Sequence, residues 1–420
     1  MKMAAKTPVG VILGAARVSE ELVPVFGDIP SSLIPLNGKP AVYFILDHLR
    51  ALGLRKVYVS VGYKEERVRR ILDAYAAEKN FEIVAAPVDA AKRPGSALIQ
   101  IYKRMSASER KSGALVHLAD TLPAEKKFSF KKDFILVSSD YQDSKRWCVV
   151  ETEAKTGNVR RLLDKQEGQE GKLAAVGIYY FSDVTSFLKL SGKNYEISDL
   201  FRVLIKKKKP VSALLTKKWM DLGHIGKYYE AKAALLPSRS FNMLSGNRSG
   251  ATIIKRSERP EIIKNEVGWY LAIPKRLSVY APRVIEHSFK KGDTFAELEF
   301  YGYPALSELW LYAGLGVPLW ELVIDRLFSV LQEFRAHRGE VLKRDYAQMY
   351  VEKTMRRIKE AGEKNQFLKM LFSAPEVSVN GILMPGWPHY EERLAELTKK
   401  LYNREDNAFL HGDFHFSNTL

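Results

Sequence analysis

Two stretches of the sequence carry residue types at spacings suited to phosphate chemistry. The first is Gly14-Ala15-Ala16-Arg17, which follows the apolar run Val9–Leu13. Small side chains after a strand let backbone N–H groups approach a triphosphate closely, which makes Leu13, Gly14, Ala15 and Ala16 nucleotide-binding candidates. On its own, such a turn is weak evidence, since most turns of this kind merely join a strand to a helix. Leu36-Asn37-Gly38-Lys39-Pro40 stands downstream, immediately before a helical segment. The second stretch is His411-Gly412-Asp413-Phe414-His415-Phe416-Ser417-Asn418. An aspartate followed five residues later by asparagine can orient or deprotonate a hydroxyl while the asparagine binds magnesium. His411 and His415 shape such a loop through hydrogen bonds rather than by holding metal.

The elements that must position these residues follow from periodicity. Residues 8–14 read as a buried strand, Ala41–Leu52 as a helix, Lys56–Val61 as a strand, Glu65–Tyr75 as a helix and Phe81–Ala86 as extended. This alternation predicts a parallel sheet with crossover helices. Gly113–Leu118 adds a buried strand that ends at Asp120. From about residue 146 the texture turns β-rich, with Trp147–Thr152, Val159–Leu163 and Ala174–Phe181, then a helix over Glu196–Lys206 and a strand over Val211–Thr216.

The stretch Leu236–Gly250, rich in Ser, Asn, Gly and Pro, marks a boundary. The expected organisation is one domain over 1–236, a linker over 237–250 and a second domain over 251–420. In the second domain Ala251–Lys255 and Ala296–Tyr301 read as strands and Ile262–Tyr270 as a helix; helical periodicity dominates from Ser307. A strand-like lead-in, Ala408-Phe409-Leu410, precedes the last motif.

With 420 residues, 46% hydrophobic and 27% charged, the chain is a folded protein with room for two domains. Its one cysteine, Cys148, rules out an internal disulfide and a cysteine zinc site, and fits a reducing, cytoplasmic location. No run approaches the about eighteen apolar residues of a membrane span. Lys and Arg number 66 against 49 acids, a net charge of +17. Nucleic acid, anionic membrane or phosphorylated small molecules would each answer that charge. No nucleic-acid-binding motif accompanies it, so no nucleic-acid partner is expected, and the run Lys206–Lys209 reads as a solvated helix end.

The ordered set of Gly14-Ala15-Ala16, LNGKP, Gly95-Ser96-Ala97, Asp120, Asp164-Lys165, Ala175–Tyr179 and Trp219–Gly223 resembles the sugar-1-phosphate nucleotidyltransferase family over roughly the first 230 residues. The resemblance implies that Asp120 and Asp221 hold Mg2+, the expected cofactor. It also implies that Lys165 contacts the acceptor's phosphate, that Glu196 and Gly177 lie on the acceptor side, and that Gly95, Ser96 and Ala97 approach base or sugar. The family's loop arginine and the lysine of its Pro-Lys-Pro step are missing: acids, Glu20 and Glu21, stand near the first position, and Pro30-Ser31-Ser32 replaces the second. Arg17 and Lys39 are the candidate catalytic substitutes.

The last motif resembles the HGDxHxxN loop of the aminoglycoside phosphotransferase and choline kinase families. That resemblance implies Asp413 as the catalytic acid and Asn418 as a metal ligand, with Lys255 and Glu266, eleven residues apart, as the pair that handles ATP phosphates. The family's later aspartate ligand does not occur, so the chain looks truncated and little phosphotransfer is expected. The fold class expected is therefore α/β, a Rossmann-like nucleotidyltransferase domain with a mostly parallel mixed sheet, followed by a partial α+β protein-kinase-like domain. The function expected is a bifunctional transferase for surface polysaccharide or capsule synthesis. Its partners would be a nucleoside triphosphate, a phosphorylated sugar or alcohol, and ATP, with homo-oligomerisation left open. The alternative is a nucleotidyltransferase fold that has lost catalysis and serves as a binding or scaffolding module.

Overall fold

The computed structural model describes residues 7–89, 92–123, 125, 127–141, 143–169, 171–191, 194–216, 218–235, 242–246, 252–290, 292–403 and 407–420. Contacts divide the chain into two compact units. One takes in residues up to Ala272, Pro282–Val317 and His415–Leu420; the other is Ile273–Ala281 with Pro318–Phe414.

The first unit is built on a nine-stranded sheet. Its strands are β1 (Val9–Leu13), β2 (Lys56–Val61), β3 (Glu82–Pro87), β4 (Ala114–Leu118), β5 (Asp133–Ser138), β6 (Cys148–Thr152), β7 (Val159–Asp164), β8 (Leu173–Phe181) and β9 (Val211–Leu215). The main path runs β7-β6-β8-β4-β1-β2-β3, with β5 joined to both β8 and β9. β3, β2, β1 and β4 are parallel; β8 runs antiparallel to β4, β5 and β6. Of the parallel strands, β1, β2 and β4 are buried along most of their length because helices cover both faces, whereas β3 lies at the sheet edge.

On one face lie α1 (Ala41–Ala51) and α2 (Glu65–Lys79), on the other α3 (Pro94–Arg104) and α4 (Ile197–Lys206). Helix α1 buries Ala41, Val42, Ile45, Leu46 and Leu49, the spacing of one helical face. Helix α4 buries Ile197, Leu200, Phe201 and Leu204 in the same way. Strand β5 is buried on both faces, and without alternation it carried no signal of its own in the sequence.

The stretch expected as linker contains a strand, β10 (Asn242–Gly246); its remaining residues, 237–241 and 247–250, lie outside the described set. β10 joins β11 (Thr252–Ser257), β12 (Val284–Lys290) and β13 (Asp293–Glu299) in an antiparallel sheet of order β10-β11-β13-β12. Helices α5 (Ile225–Ala234), α6 (Pro260–Ala272) and α7 (Leu306–Tyr312) complete the first unit. Strand β13 stops at Glu299, short of the expected Tyr301, and Ala408 makes only an isolated bridge, to Arg338. The second unit is mainly helical, with Val317–Ala336 and Trp387–Leu401 its longest helices and one hairpin, Glu376–Val379 with Ile382–Pro385. Among the described residues no helix is long and apolar enough to cross a membrane.

Inside the first unit Lys232 of α5 and Glu308 of α7 form a buried ion pair at 2.7 Å. Glu308 also accepts from the backbone N–H groups of Gly38 (2.7 Å) and Ala305 (2.8 Å). Breaking a buried pair from one side leaves an uncompensated charge, at a cost of about 3–5 kcal/mol. Glu308→Ala is therefore expected to cost that much in urea unfolding. Lys232→Met should cost clearly less, because Glu308 keeps two backbone donors. Equal losses would mean that the backbone bonds contribute nothing.

Candidate active site

In an open parallel sheet, ligands bind beyond the carboxyl ends of the strands where the strand order reverses. Here β1 is flanked by β2 and β4, so that point lies between β1 and β4. Gly14 leaves the end of β1, and Asp120 follows β4. A Cβ on Gly14 would stand 2.8 Å from Ser32 Cβ and 3.2 Å from Ala119 Cβ, so the small-residue loop lies against the strand end that carries Asp120. Its amides are held in place: Gly14 N–H and Ala15 N–H donate to Ser60 Oγ at 2.9 and 3.1 Å.

After Asp120 the chain forms a two-stranded ribbon, Thr121–Pro123 against Trp219–Asp221, with Thr121 opposite Asp221. Leu222 N–H donates to Asp120 O at 2.7 Å. This pairing brings the two carboxylates together: Asp120 Oδ2 and Asp221 Oδ1 each lie 3.2 Å from one point, the position a Cβ would take on Gly223. Burial, and then the charge of Asp221, raise the Asp120 carboxyl to about 6. His224 Nδ1 donates to Asp221 Oδ2, and this hydrogen bond raises the imidazole above its ordinary value. Gly223 N–H donates to Asp221 Oδ1 at 2.8 Å.

Two carboxylates with oxygens around one small volume suit a divalent cation. Among the described residues no group of three or more His, Cys, Asp and Glu forms a complete metal cage. A magnesium ion held by one or two carboxylates, with water and substrate phosphates completing its shell, needs no such cage.

The other candidates fall into local groups. A Cβ on Gly95 would collide with the carbonyl of Glu196 and lie 2.7 Å from Tyr195 O, while Ser96 N–H donates to Tyr195 O at 3.0 Å. The start of α3, with Ala97 in its first turn, is thus packed on the segment that carries Glu196. Gly177 has φ +86°, and a Cβ there would meet Thr121 Oγ1 at 2.8 Å. Lys165, at φ +51°, is held by its N–H to Trp147 O at 2.9 Å, and the Trp147 ring lies 5.8 Å from that of His224.

Arg17, 63% exposed, pairs with Asp28 at 2.7 Å and lies over Tyr63 at 4.2 Å. Lys39 is exposed on the short strand after Gly38. Ser31 and Ser32 are buried, and Ser32 Oγ donates to Gly14 O at 3.2 Å. Lys255 on β11 and Glu266 on α6 form an ion pair, both partly buried. Asp413 belongs to the second unit, whereas Asn418 lies in the first, where its amide is 3.3 Å from His415 Nε2.

Comparison with known proteins decides the first half. The family described as Nucleotidyl transferase matches residues 9–238. The chain belongs to that family. It is 24% identical over 225 residues to the UTP–glucose-1-phosphate uridylyltransferase AglF of Haloferax volcanii, covering 51% of this chain and 90% of that one. It is 22% identical over 269 residues to the low-salt glycan biosynthesis nucleotidyltransferase Agl11 of the same organism, covering 60% and 72%. The solved inositol-1-phosphate CTP transferase from T. maritima aligns with a TM-score of 0.45 and 14% identity, over 54% of this chain and 95% of that one.

Sequence reasoning missed several residues around the acid pair. His224 had a signal, since a histidine three residues after Asp221 at the entry to α5 can turn back on it. Glu21 and Arg146 had none. They form an ion pair across 125 positions, which holds Glu21 below the usual carboxylate range, and Ile225 N–H donates to Glu21 at 3.3 Å. Ser19 Oγ donates to Gly223 O at 2.5 Å, so the loop is strapped to the segment after Asp221.

The raised Asp120 carboxyl has a measurable consequence. Between the unfolded value near 4 and the folded value of about 6 the native state holds the extra proton, so stability from this group falls as pH rises through that window. In the absence of divalent cations, Asp120→Asn is expected to be more stable than wild type at pH 7.5 by about 2–3 kcal/mol, with the difference vanishing near pH 4. Denaturant unfolding across pH checks this; a variant no more stable at pH 7.5 would show that the carboxylate carries no penalty.

Proposed function

We propose that the chain transfers a nucleotidyl group from a nucleoside triphosphate to a phosphorylated sugar or alcohol, producing an activated precursor for glycan assembly. The observation that carries this reading is the convergence of Asp120 and Asp221 on one point beyond β4, beside the Gly14 loop. The names of the relatives, a uridylyltransferase and a glycan-biosynthesis nucleotidyltransferase, support the substrate class. An oxygen of the acceptor phosphate attacks the α-phosphorus, the bond to the β-phosphate oxygen breaks, and pyrophosphate leaves. Magnesium at the aspartates offsets the repulsion between the two anions.

Within this reading the backbone of Leu13–Ala16 approaches the nucleotide, Gly95–Ala97 face base or sugar, and Lys165 takes the acceptor's phosphate with Glu196 and Gly177 beside it. The cations for the leaving pyrophosphate must come from outside the buried Ser31-Ser32 step: Arg17, Lys39 or Arg146, the last held by Glu21. Those serines favour the scaffold alternative, in which nucleotide binds without turnover. A kinase-like portion that uses ATP, with Lys255, Glu266, Asp413 and Asn418 as its residues, is a second reading. The Lys255–Glu266 ion pair supports it.

Thermal unfolding with magnesium and each nucleoside triphosphate tests both readings. One of CTP, UTP or GTP is expected to raise Tm, with the rise reduced in Asp120→Ala. Pyrophosphate release with sugar 1-phosphates then separates enzyme from scaffold. No shift with any of the three would overturn nucleotide binding at this site. A shift with ATP that is lost in Lys255→Ala supports the kinase-like portion; one unchanged in that variant removes it.

A further inference from the structure

The charge of +17 is not used up by the site just described. Part of it gathers around a cleft of about 570 Å³ between β7 and α4, floored by Leu162 and Ile205. Four cations line this cleft, Arg160, Arg161, Arg202 and Lys206, against a single acid, Asp164. That acid is already engaged: Asp164 Oδ2 accepts from Arg202 at 2.6 Å and from Ser198 at 2.7 Å. Arg202 in turn is shared between Asp164 and Asp199, the latter at 2.9 Å.

The remaining three cations face outward for a structural reason. The pairing of β6 with β7 slips between Val159 and Arg161, a bulge that turns two consecutive side chains, Arg160 and Arg161, to the exposed side. Arg160 reaches only a 3.4 Å contact with Glu151, which Lys172 also contacts at 3.5 Å. Arg161 and Lys206 have no ion-pair partner among the described residues. Lys206 closes α4, and Lys207, Lys208 and Lys209 continue it as an exposed run. A helix C-terminus by itself repels anions, so its carbonyls account for some of this positive charge. They cannot account for Arg160 and Arg161, which stand on a strand.

We infer that this cleft binds a small phosphorylated molecule carrying at least two negative charges, at a site separate from the Asp120–Asp221 pair. Guanidinium forks and a terminal ammonium around an apolar floor match a phosphate attached to a compact organic group. A cleft of this size suits a small ligand, and the lysine run past α4 adds attraction at longer range. The inference does not rest on the nucleotidyl-transfer reading.

Inorganic pyrophosphate is the probe, titrated calorimetrically into the full chain with EDTA present and ionic strength held constant with chloride. Wild type and Asp120→Asn are expected to bind it alike. Arg161→Ala combined with Lys206→Ala should weaken binding by at least about tenfold. Both substituted side chains are exposed, so the fold should persist, and an unchanged far-UV spectrum and Tm check this. Three outcomes overturn the inference: no binding by wild type, binding that survives the double substitution, or binding that Asp120→Asn abolishes. A single-stranded oligonucleotide bound far more tightly than pyrophosphate at equal phosphate concentration would also overturn it, because the surface would then be a nucleic-acid track.

Discussion

Two carboxylates cannot share a small buried volume unless their repulsion is offset by a proton, a hydrogen-bonded imidazole or a cation. The first unit imposes this arrangement on Asp120 and Asp221 through its backbone. Asp120 is fixed at the end of a central strand, and its carbonyl is bonded by Leu222. Asp221 is fixed opposite Thr121 in a ribbon of three residues a side. Two glycines pack closely around the pair. A Cβ on Gly223 would lie 3.2 Å from an oxygen of each carboxylate, and one on Gly177 2.8 Å from Thr121 Oγ1. With the ribbon holding their backbones together, the surroundings answer the repulsion: Asp120 is pushed toward its neutral form and His224 toward its charged one.

A second constraint ties this unit together from further along the chain. The turn Asn37-Gly38 precedes Lys39 and α1, and Asn37 has φ +48°. Its side chain donates to Lys232 O and Leu235 O at 3.0 and 2.8 Å, closing the C-terminal end of α5. Gly38 N–H reaches Glu308, which pairs with Lys232 of the same helix. Helix α5 begins just after His224. One buried ion pair therefore links the turn before Lys39, the helix after the acid pair and the segment that follows β13. Past the family match, residues up to Ala272, Pro282–Val317 and His415–Leu420 are built into the first unit.

The central parallel strands and helices α1 and α4 were legible because each has one dominant pattern, an unbroken apolar run or a helical face. Asp120 and Asp221 were legible through their places at strand ends within an ordered set of motifs. Strand β5 was not, because its apolar run of four, Phe134–Val137, without alternation fits a strand or a buried helical turn equally well. Strand β10 was hidden by composition: Asn242–Gly246 stands in a stretch rich in Ser, Asn and Gly, and its strand state comes from pairing with β11. Glu21 and Arg146 were invisible because 125 residues separate partners that only the folded sheet brings together. Tertiary pairing of this kind leaves no trace in local periodicity.

The Glu21–Arg146 pair bears on how the site can open. Its side chains are 35% and 45% exposed, a setting in which ion pairs contribute about 0–1 kcal/mol. Ile225 N–H and Ser19 anchor the same loop to the segment after Asp221, so the strap consists of weak, water-accessible bonds rather than a packed core. In the nucleotidyl-transfer reading, a triphosphate arriving beside Asp221 competes for Arg146 with two carboxylates, Glu21 and Asp143, the latter at 3.1 Å. The exchange trades exposed carboxylate contacts for charge-assisted contacts to phosphate, which can be bidentate. A guanidinium parked on Glu21 in the free chain can thus serve the pyrophosphate when substrate is present. The chain would then need no lysine at the buried Ser31-Ser32 step.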